Sequence, residues 1–224
     1  MTPAELVRIN IEAISLRATE ETERDAFWLA RFGERGHNFI LEDNRYHLTY
    51  LAEALAAASP AVLENYARWL QSVLTTRGMC TRHIEDNFMQ LARLLRDSLP
   101  EVAPATGSYL EQAREALIYD DQPARGIQLG VSELAAQVTE ALVAGQRRLE
   151  IELYVSYLAD AVHLQRPDLF ASHISWTRGF LLLQGHDAGH LAPVLEAVRG
   201  AVPADSQSVF TCLDAAAAAL GSAA

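Results

Sequence analysis

Asp43, His47 and Tyr50 stand at i, i+4 and i+7, with Ala54 continuing the row at i+11. That spacing places all four on one face of an α-helix. Glu150, Tyr154, Tyr157 and Ala161 repeat the row further along the chain. Each row thus offers an acid, then His or Tyr, then Tyr. Facing each other about a pseudo-twofold, the rows would gather two carboxylates, three tyrosines and a histidine into a central polar pocket. Such a set can bind a small ligand, or hold a metal through carboxylate and imidazole. It can equally be a buried hydrogen-bond network in which the hydroxyls and the imidazole satisfy the carboxylates and fix helix register.

Trp69 and Trp176 form a second pair of candidates, with Tyr66 and His173 one turn earlier. Their rings suit core packing, and they also suit a wall against a flat ligand such as a tetrapyrrole. His186 and His190 are a third pair. Four residues apart on a helix, two histidines can bind a divalent metal. Gly185 and Gly189 read instead as a frayed helix start, and Asp187 stands where the zinc-protease signature needs Glu. The chain carries no Gly-x-Ser-x-Gly elbow, Gly-rich phosphate loop or dinucleotide fingerprint.

The elements that must position these residues occur twice. The string Tyr46 to Leu55 reappears as Leu153 to Val162, and 107 residues separate Tyr50 from Tyr157, Pro60 from Pro167, Trp69 from Trp176 and Gly78 from Gly185. Beyond this the separation falls to 103, between Pro100 and Pro203 and between Leu110 and Leu213. The later stretch is therefore shorter by four residues, about one helical turn. Self-similarity of this kind predicts an internal duplication. Apolar residues recur at helical steps throughout, and no segment alternates as a strand does. The expectation is an all-α, internally duplicated helical bundle of about ten helices. Residues 1–118 form the first unit, 119–131 a linker and 132–224 the second unit, packed as one globule.

Boundaries follow from capping chemistry. Thr2-Pro3 opens a helix that reaches about Arg17, and a second runs from Glu20 to Arg35 with Gly36 at its end. A third starts near Phe39 and ends at Ala58, where Ser59-Pro60 opens the next. Gly78 ends that one; a helix over Thr81 to Leu99, a loop from Pro100 to Gly107 and a short helix from Tyr109 to Leu117 close the unit. In the second unit helices are expected over Ser132 to Gly145, Arg147 to Leu164, Pro167 to Gln184, Ala188 to Gly200 and Ser206 to Leu220.

Net charge is −11 and every basic residue is arginine. Polyanions are repelled overall, so nucleic acid is not expected as a partner. Without lysine there is no Schiff-base chemistry. No apolar run nears the roughly 18–20 residues that span a bilayer, so no membrane partner is expected. No basic region precedes an apolar one at the N-terminus, which points to a cytoplasmic protein. Cys80 and Cys212 read as reduced, small hydrophobes.

From Tyr50 through Trp69 and Gly78 to Leu95, the chain resembles the four-helix bundle that precedes the cobalamin-binding domain in B12-dependent photoreceptor repressors and methyltransferases. The shared features are Leu51-Ala-Glu-Ala-Leu, a Pro-opened helix, a Gly-ended turn and a Leu-rich helix. The cobalamin motif Asp-x-His-x-x-Gly is absent. The resemblance therefore implies a helical sensor or adaptor, and gives no residue a role.

The first expectation is a non-enzymatic cytoplasmic regulatory, sensor or adaptor protein. Its partner would be a small, aromatic or tetrapyrrole-like ligand or another protein, with a homodimer as one form. The candidate ligand-binding residues are Asp43, His47, Tyr50, Trp69, Glu150, Tyr154, Tyr157 and Trp176. The alternative is a ferritin-like carboxylate–histidine metal protein or oxidase using Asp43, His47 and Glu150. It ranks second because the Glu-x-x-His of such sites is missing. The residues identify no cofactor.

Overall fold

The computed structural model describes residues 1–142 and 148–221, and among these every regular element is helical. The elements are α1 (Pro3–Thr22), α2 (Ala26–Phe32), α3 (Arg35–Ala56), α4 (Ala61–Leu74), a 3-10 turn (Thr75–Arg77), α5 (Thr81–Ser98), α6 (Ala103–Glu115), α7 (Ala124–Leu129), α8 (Val131–Ala141), α9 (Arg148–His163), α10 (Pro167–Leu183), α11 (Leu191–Ala201) and α12 (Gln207–Gly221). The helix end expected at Gly145 and the start expected at Arg147 lie outside the described residues.

The chain divides into two compact units. One comprises Met1–Ser72 and His83–Leu117; the other comprises Val73–Arg82 and Ile118–Ala224. This differs from a simple split near residue 118. The turn between α4 and α5 belongs with the later helices, and the expected linker is part of the second unit. It holds α7, whose Ala124 and Ile127 are buried as α7 packs on α9. Gln128 Oε1 accepts from the Tyr119 amide at 2.9 Å, and Arg125 Nη1 donates to the Tyr119 carbonyl at 3.1 Å. The Asp, Pro and Gly of this stretch read as a linker, but two small apolar groups in the core outweigh that composition.

In the first unit α1 packs along α3, and α2 and α6 also pack on α3. Thr2 opens α1 with a reciprocal cap: its hydroxyl accepts from the Glu5 amide and its amide donates to the Glu5 carboxylate at 2.8 Å. α1 continues past Arg17 to Thr22. Ala18 and Thr19 are buried there, and Thr19 and Thr22 return their hydroxyls to backbone carbonyls one turn back. α2 is correspondingly short, capped by Asp25 and ended by Gly33 at φ 64° rather than by Gly36. Gly36 sits inside α3, where an added Cβ would lie 3.2 Å from the Phe32 Cβ. α6 begins at Ala103 with Pro104 in its first turn, so part of the expected loop over 100–107 is helical. α5 turns Ile84, Phe88, Leu91 and Leu95 inward at i, i+4, i+7 and i+11.

In the second unit α9 is central, packed against α7, α8, α10 and α12. Residues 154–162 are buried without a break, as in a helix enclosed on all sides. α10 packs on α12, and α11 on α8 and α12. Cys80 and Cys212 form no disulfide and are both buried in this core, where burial pushes the Cys212 thiol up to about 11. They behave as small hydrophobes, as expected.

The same turn chemistry appears after α3 and after α9. Ala57, Ala58 and Ser59 donate their amides to the carbonyls of Glu53, Leu55 and Ala54 at 2.9, 3.2 and 3.0 Å. Leu164, Gln165 and Arg166 donate to Asp160, Val162 and Ala161 at 2.9, 3.2 and 2.9 Å. The left-handed residue of each cap is Ala58 at φ 50° or Gln165 at φ 52°. Gly78 (φ 88°) and Gly185 (φ 75°) likewise close the helix that follows, with Met79 and His186 donating to Leu74 and Leu181. Left-handed backbone strains any residue with a Cβ, by about 1–2 kcal/mol. Ala58→Gly and Gln165→Gly should therefore each raise unfolding stability, by about 0.5–1 kcal/mol after the entropy that glycine adds to the unfolded chain. Urea unfolding followed by circular dichroism checks this. Destabilisation by either change would show that the turn is unstrained.

Candidate functional site

α3 and α4 are set together by a pair of rings. His47 Nδ1 and the Tyr66 hydroxyl lie 2.7 Å apart in the first unit's core. The His47 ring meets Phe88 of α5 edge-on at 5.3 Å. His47 is 4% exposed, and burial pushes it down to about 3, so the imidazole is neutral. Burial, and then the nearby Asp43 charge, push the Tyr66 phenol far up, so it stays protonated. A neutral hydrogen bond thus ties α3 to α4.

The outer face of Tyr66 carries more rings. Tyr50 stacks on it with centroids 4.0 Å apart and planes 15° from parallel, and Trp69 stands 6.0 Å from it, tilted by 33°. Tyr50 is 39% and Trp69 57% exposed. Tyr46, one turn before Tyr50 on α3, is 50% exposed and donates to the Glu42 carboxylate at 3.5 Å. The result is an aromatic ladder, Trp69–Tyr66–Tyr50, buried at its middle rung and open at both ends.

The second unit carries the counterpart rings with His and Tyr exchanged. Tyr154 on α9 takes the place of His47, and His173 on α10 that of Tyr66. Tyr157 stacks on His173 at 3.5 Å and 12°, Tyr154 lies 5.9 Å from His173, and Trp176 stands 6.5 Å from it. This set is closed. Tyr154 and Tyr157 are buried, and the half-buried Trp176 is stacked on Phe180 at 5.2 Å. Burial and the Glu150 charge raise the Tyr154 phenol.

The eight candidate residues therefore fall into two sets, each within its own unit. Asp43 and Glu150 are half-buried, His47, Tyr154 and Tyr157 are inside, and Tyr50 and Trp69 face outward. The row from Asp43 to Ala54 is not wholly inward, because Tyr50 lies at its solvent edge. His186 and His190 are not on a helix: they stand between α10 and α11. Asp187 accepts from the Gly189 amide there, so the segment is a turn that disperses the metal-ligand spacing. Among the described residues no group of three or more His, Cys, Asp or Glu side chains could hold a metal ion.

Sequence reasoning missed a second polar cluster, around α9. The buried Asp160 carboxylate accepts from the Thr81 amide at 2.7 Å, the Thr81 hydroxyl at 2.8 Å and the Tyr119 hydroxyl at 2.7 Å. Thr81 is the first residue of α5, so the carboxylate serves as that helix's N-terminal cap. Tyr157 donates to the Gly78 carbonyl at 2.8 Å. Glu152 meets Ser132 at 3.1 Å and Arg82 at 3.5 Å. One signal was available: Asp160 stands where the earlier string has Glu53, which is exposed and pairs with Arg8. The arrangement offers no nucleophile and holds its carboxylate fully engaged, so it reads as architecture.

No protein-family model, curated protein or solved structure matches the chain significantly. Among the described residues no helix is long and apolar enough to cross a membrane.

Two outcomes follow from these environments. His47 titrates near 6.5 when unfolded and at about 3 when folded. The folded state binds fewer protons across that window, so the stability it contributes is full above about pH 6.5 and is lost as pH falls toward 3. Between pH 8 and pH 5 the loss should be about 2 kcal/mol. His47→Gln should flatten that part of the curve in urea unfolding at several pH values, and an unchanged slope would place the imidazole in water. Asp160→Asn should cost about 2–3 kcal/mol, since an amide donor then faces the Thr81 amide. A loss below about 0.5 kcal/mol would show that the three donors find water instead.

Proposed function

We propose that the chain is a non-enzymatic cytoplasmic sensor that binds a small aromatic ligand on the Trp69–Tyr66–Tyr50 ladder. The observation that carries this is the exposure of two rings that both meet one fixed ring: Trp69 and Tyr50 are open, while Tyr66, which each of them meets, is held by His47. A flat ligand gains ring-to-ring contact there with little ordering of the protein, because α3 and α4 already hold the rings in place. His47 acts from behind, through its hydrogen bond to Tyr66, and the Asp43 charge bears on the Tyr66 phenol. The closed set of Glu150, Tyr154, Tyr157 and Trp176 is the structural counterpart in the second unit.

Supporting an origin by duplication are the matched caps at Ala58 and Gln165, the matched glycines at Gly78 and Gly185, and the ring pairs 107 residues apart. On this reading one copy kept an open ladder and the other filled it. A sensor fits better than an enzyme because the ladder rests on an un-ionised phenol and a neutral imidazole of low basicity rather than on an activated nucleophile or a poised base.

The test is binding of four probes of different charge and size: N-methylquinolinium, 1-methylnaphthalene, 1-naphthoate and protoporphyrin. Tryptophan fluorescence and thermal unfolding are read together. At least one probe should quench fluorescence and raise the melting temperature of the full chain, since a ligand of the folded state must stabilise it. Trp69→Ala should weaken that binding by about tenfold or more while circular dichroism stays unchanged. If no probe binds, or if binding ignores Trp69, the ladder is not a ligand site.

A further inference from the structure

Resting on that reading, we infer that the ladder selects organic cations, and that the ligand class is a flat cationic ring system such as an N-alkylated heteroaromatic. Three features of the first unit carry this. The open rungs are Tyr50 and Trp69, and Tyr46 adds a third exposed ring one turn away on the same helix. Electron-rich faces of Trp and Tyr attract a cation placed over them, most strongly over Trp. Two acidic groups of α3 bear on these rings: Glu42 accepts from the Tyr46 hydroxyl, and the Asp43 charge acts on the Tyr66 phenol.

The basic side chains next to the ladder are already engaged with acids. Arg45, beside Tyr46, holds Glu12 through two donors at 3.1 and 2.7 Å. Arg68, beside Trp69, lies 3.7 Å from Glu64 and 3.4 Å from Asn65. No lysine ammonium competes for the ring faces, because the chain contains no lysine. An anionic ligand meets carboxylates here, and a neutral one gains ring contact alone. A cation gains both the ring contact and the charge.

The experiment compares N-methylquinolinium with its neutral isostere 1-methylnaphthalene and with the anion 1-naphthoate, on the full chain by fluorescence titration at low and high salt. The cation should bind about tenfold more tightly than the isostere, and the anion most weakly. Glu42→Gln, a variant at an exposed position, should narrow the gap between cation and isostere without moving the affinity of the isostere. Raised salt should narrow it as well. If cation and isostere bind equally, and Trp69→Ala still removes both, the ladder is a ligand site without charge preference and the inference falls alone. If the anion binds best, the inference also falls while the ladder stands. If nothing binds, the ladder reading falls and takes the inference with it.

Discussion

The hydrogen bond between His47 and Tyr66 is the constraint on which the first unit's open face depends. Its two partners come from different helices, and both are buried. A buried polar group left without a partner costs about 1–3 kcal/mol, more than the net worth of the bond itself. The pair therefore acts less as a source of stability than as a lock on register. A shift of α4 by one residue along α3 would strand an imidazole and a phenol in a core lined by Phe88. Because Tyr66 is fixed from the inside by its hydroxyl, its ring plane is fixed on the outside too. That plane sets where Tyr50 and Trp69 stand.

The second unit answers the same packing problem with the residues exchanged. A histidine on α10 stacks on Tyr157, and Tyr154 closes in from α9. Exchange of the two ring types between helices keeps an aromatic ring with a polar edge on each partner, so the helix pair can keep its spacing. What changes is the surroundings. α9 is enclosed by four helices and sends Tyr157 to the Gly78 carbonyl, so its rings belong to a core. α3 keeps a solvent face at Tyr46 and Tyr50. Similar ring geometry thus serves cohesion in one unit and presents a surface in the other.

Much of the fold was legible because capping chemistry is local. Thr2-Pro3, Ser59-Pro60, Gly78, Pro167 and Gly185 each mark a real boundary, since each signal depends on backbone angles and the first or last turn alone. The inward placing of His47 and Tyr154 was legible from their apolar neighbours one turn away. The misread segments depended on distant partners. α7 exists because Ala124 and Ile127 find α9, and the turn over Val73–Arg82 joins the later helices through Thr81 and Gly78. Asp160 shows the limit most clearly. Its donors stand 79 and 41 positions away, and no spacing rule links them. The exposure of Tyr50 was also hidden, because a seven-residue step puts it on the His47 face without saying where that face ends.

Exposed rings need an account only when they are contiguous. Leu29, Phe39 and Leu183 are also open to solvent, and scattered apolar side chains are ordinary on a protein surface. The ladder differs in that its members touch through Tyr66, so their apolar area is joined rather than dispersed. Such a patch, with Glu42 bonded to the neighbouring Tyr46 and the Asp43 charge near Tyr66, has no core to serve on its outer side and invites association through hydrophobic contact. A charged rim beside it reduces that risk, since apolar partners must desolvate carboxylates as they approach. The same rim does not penalise a cation. On the reading proposed above, a surface that is costly for neutral association and favourable for a flat cation is a binding face rather than packing left incomplete, because packing alone gives no reason to keep carboxylates beside open rings.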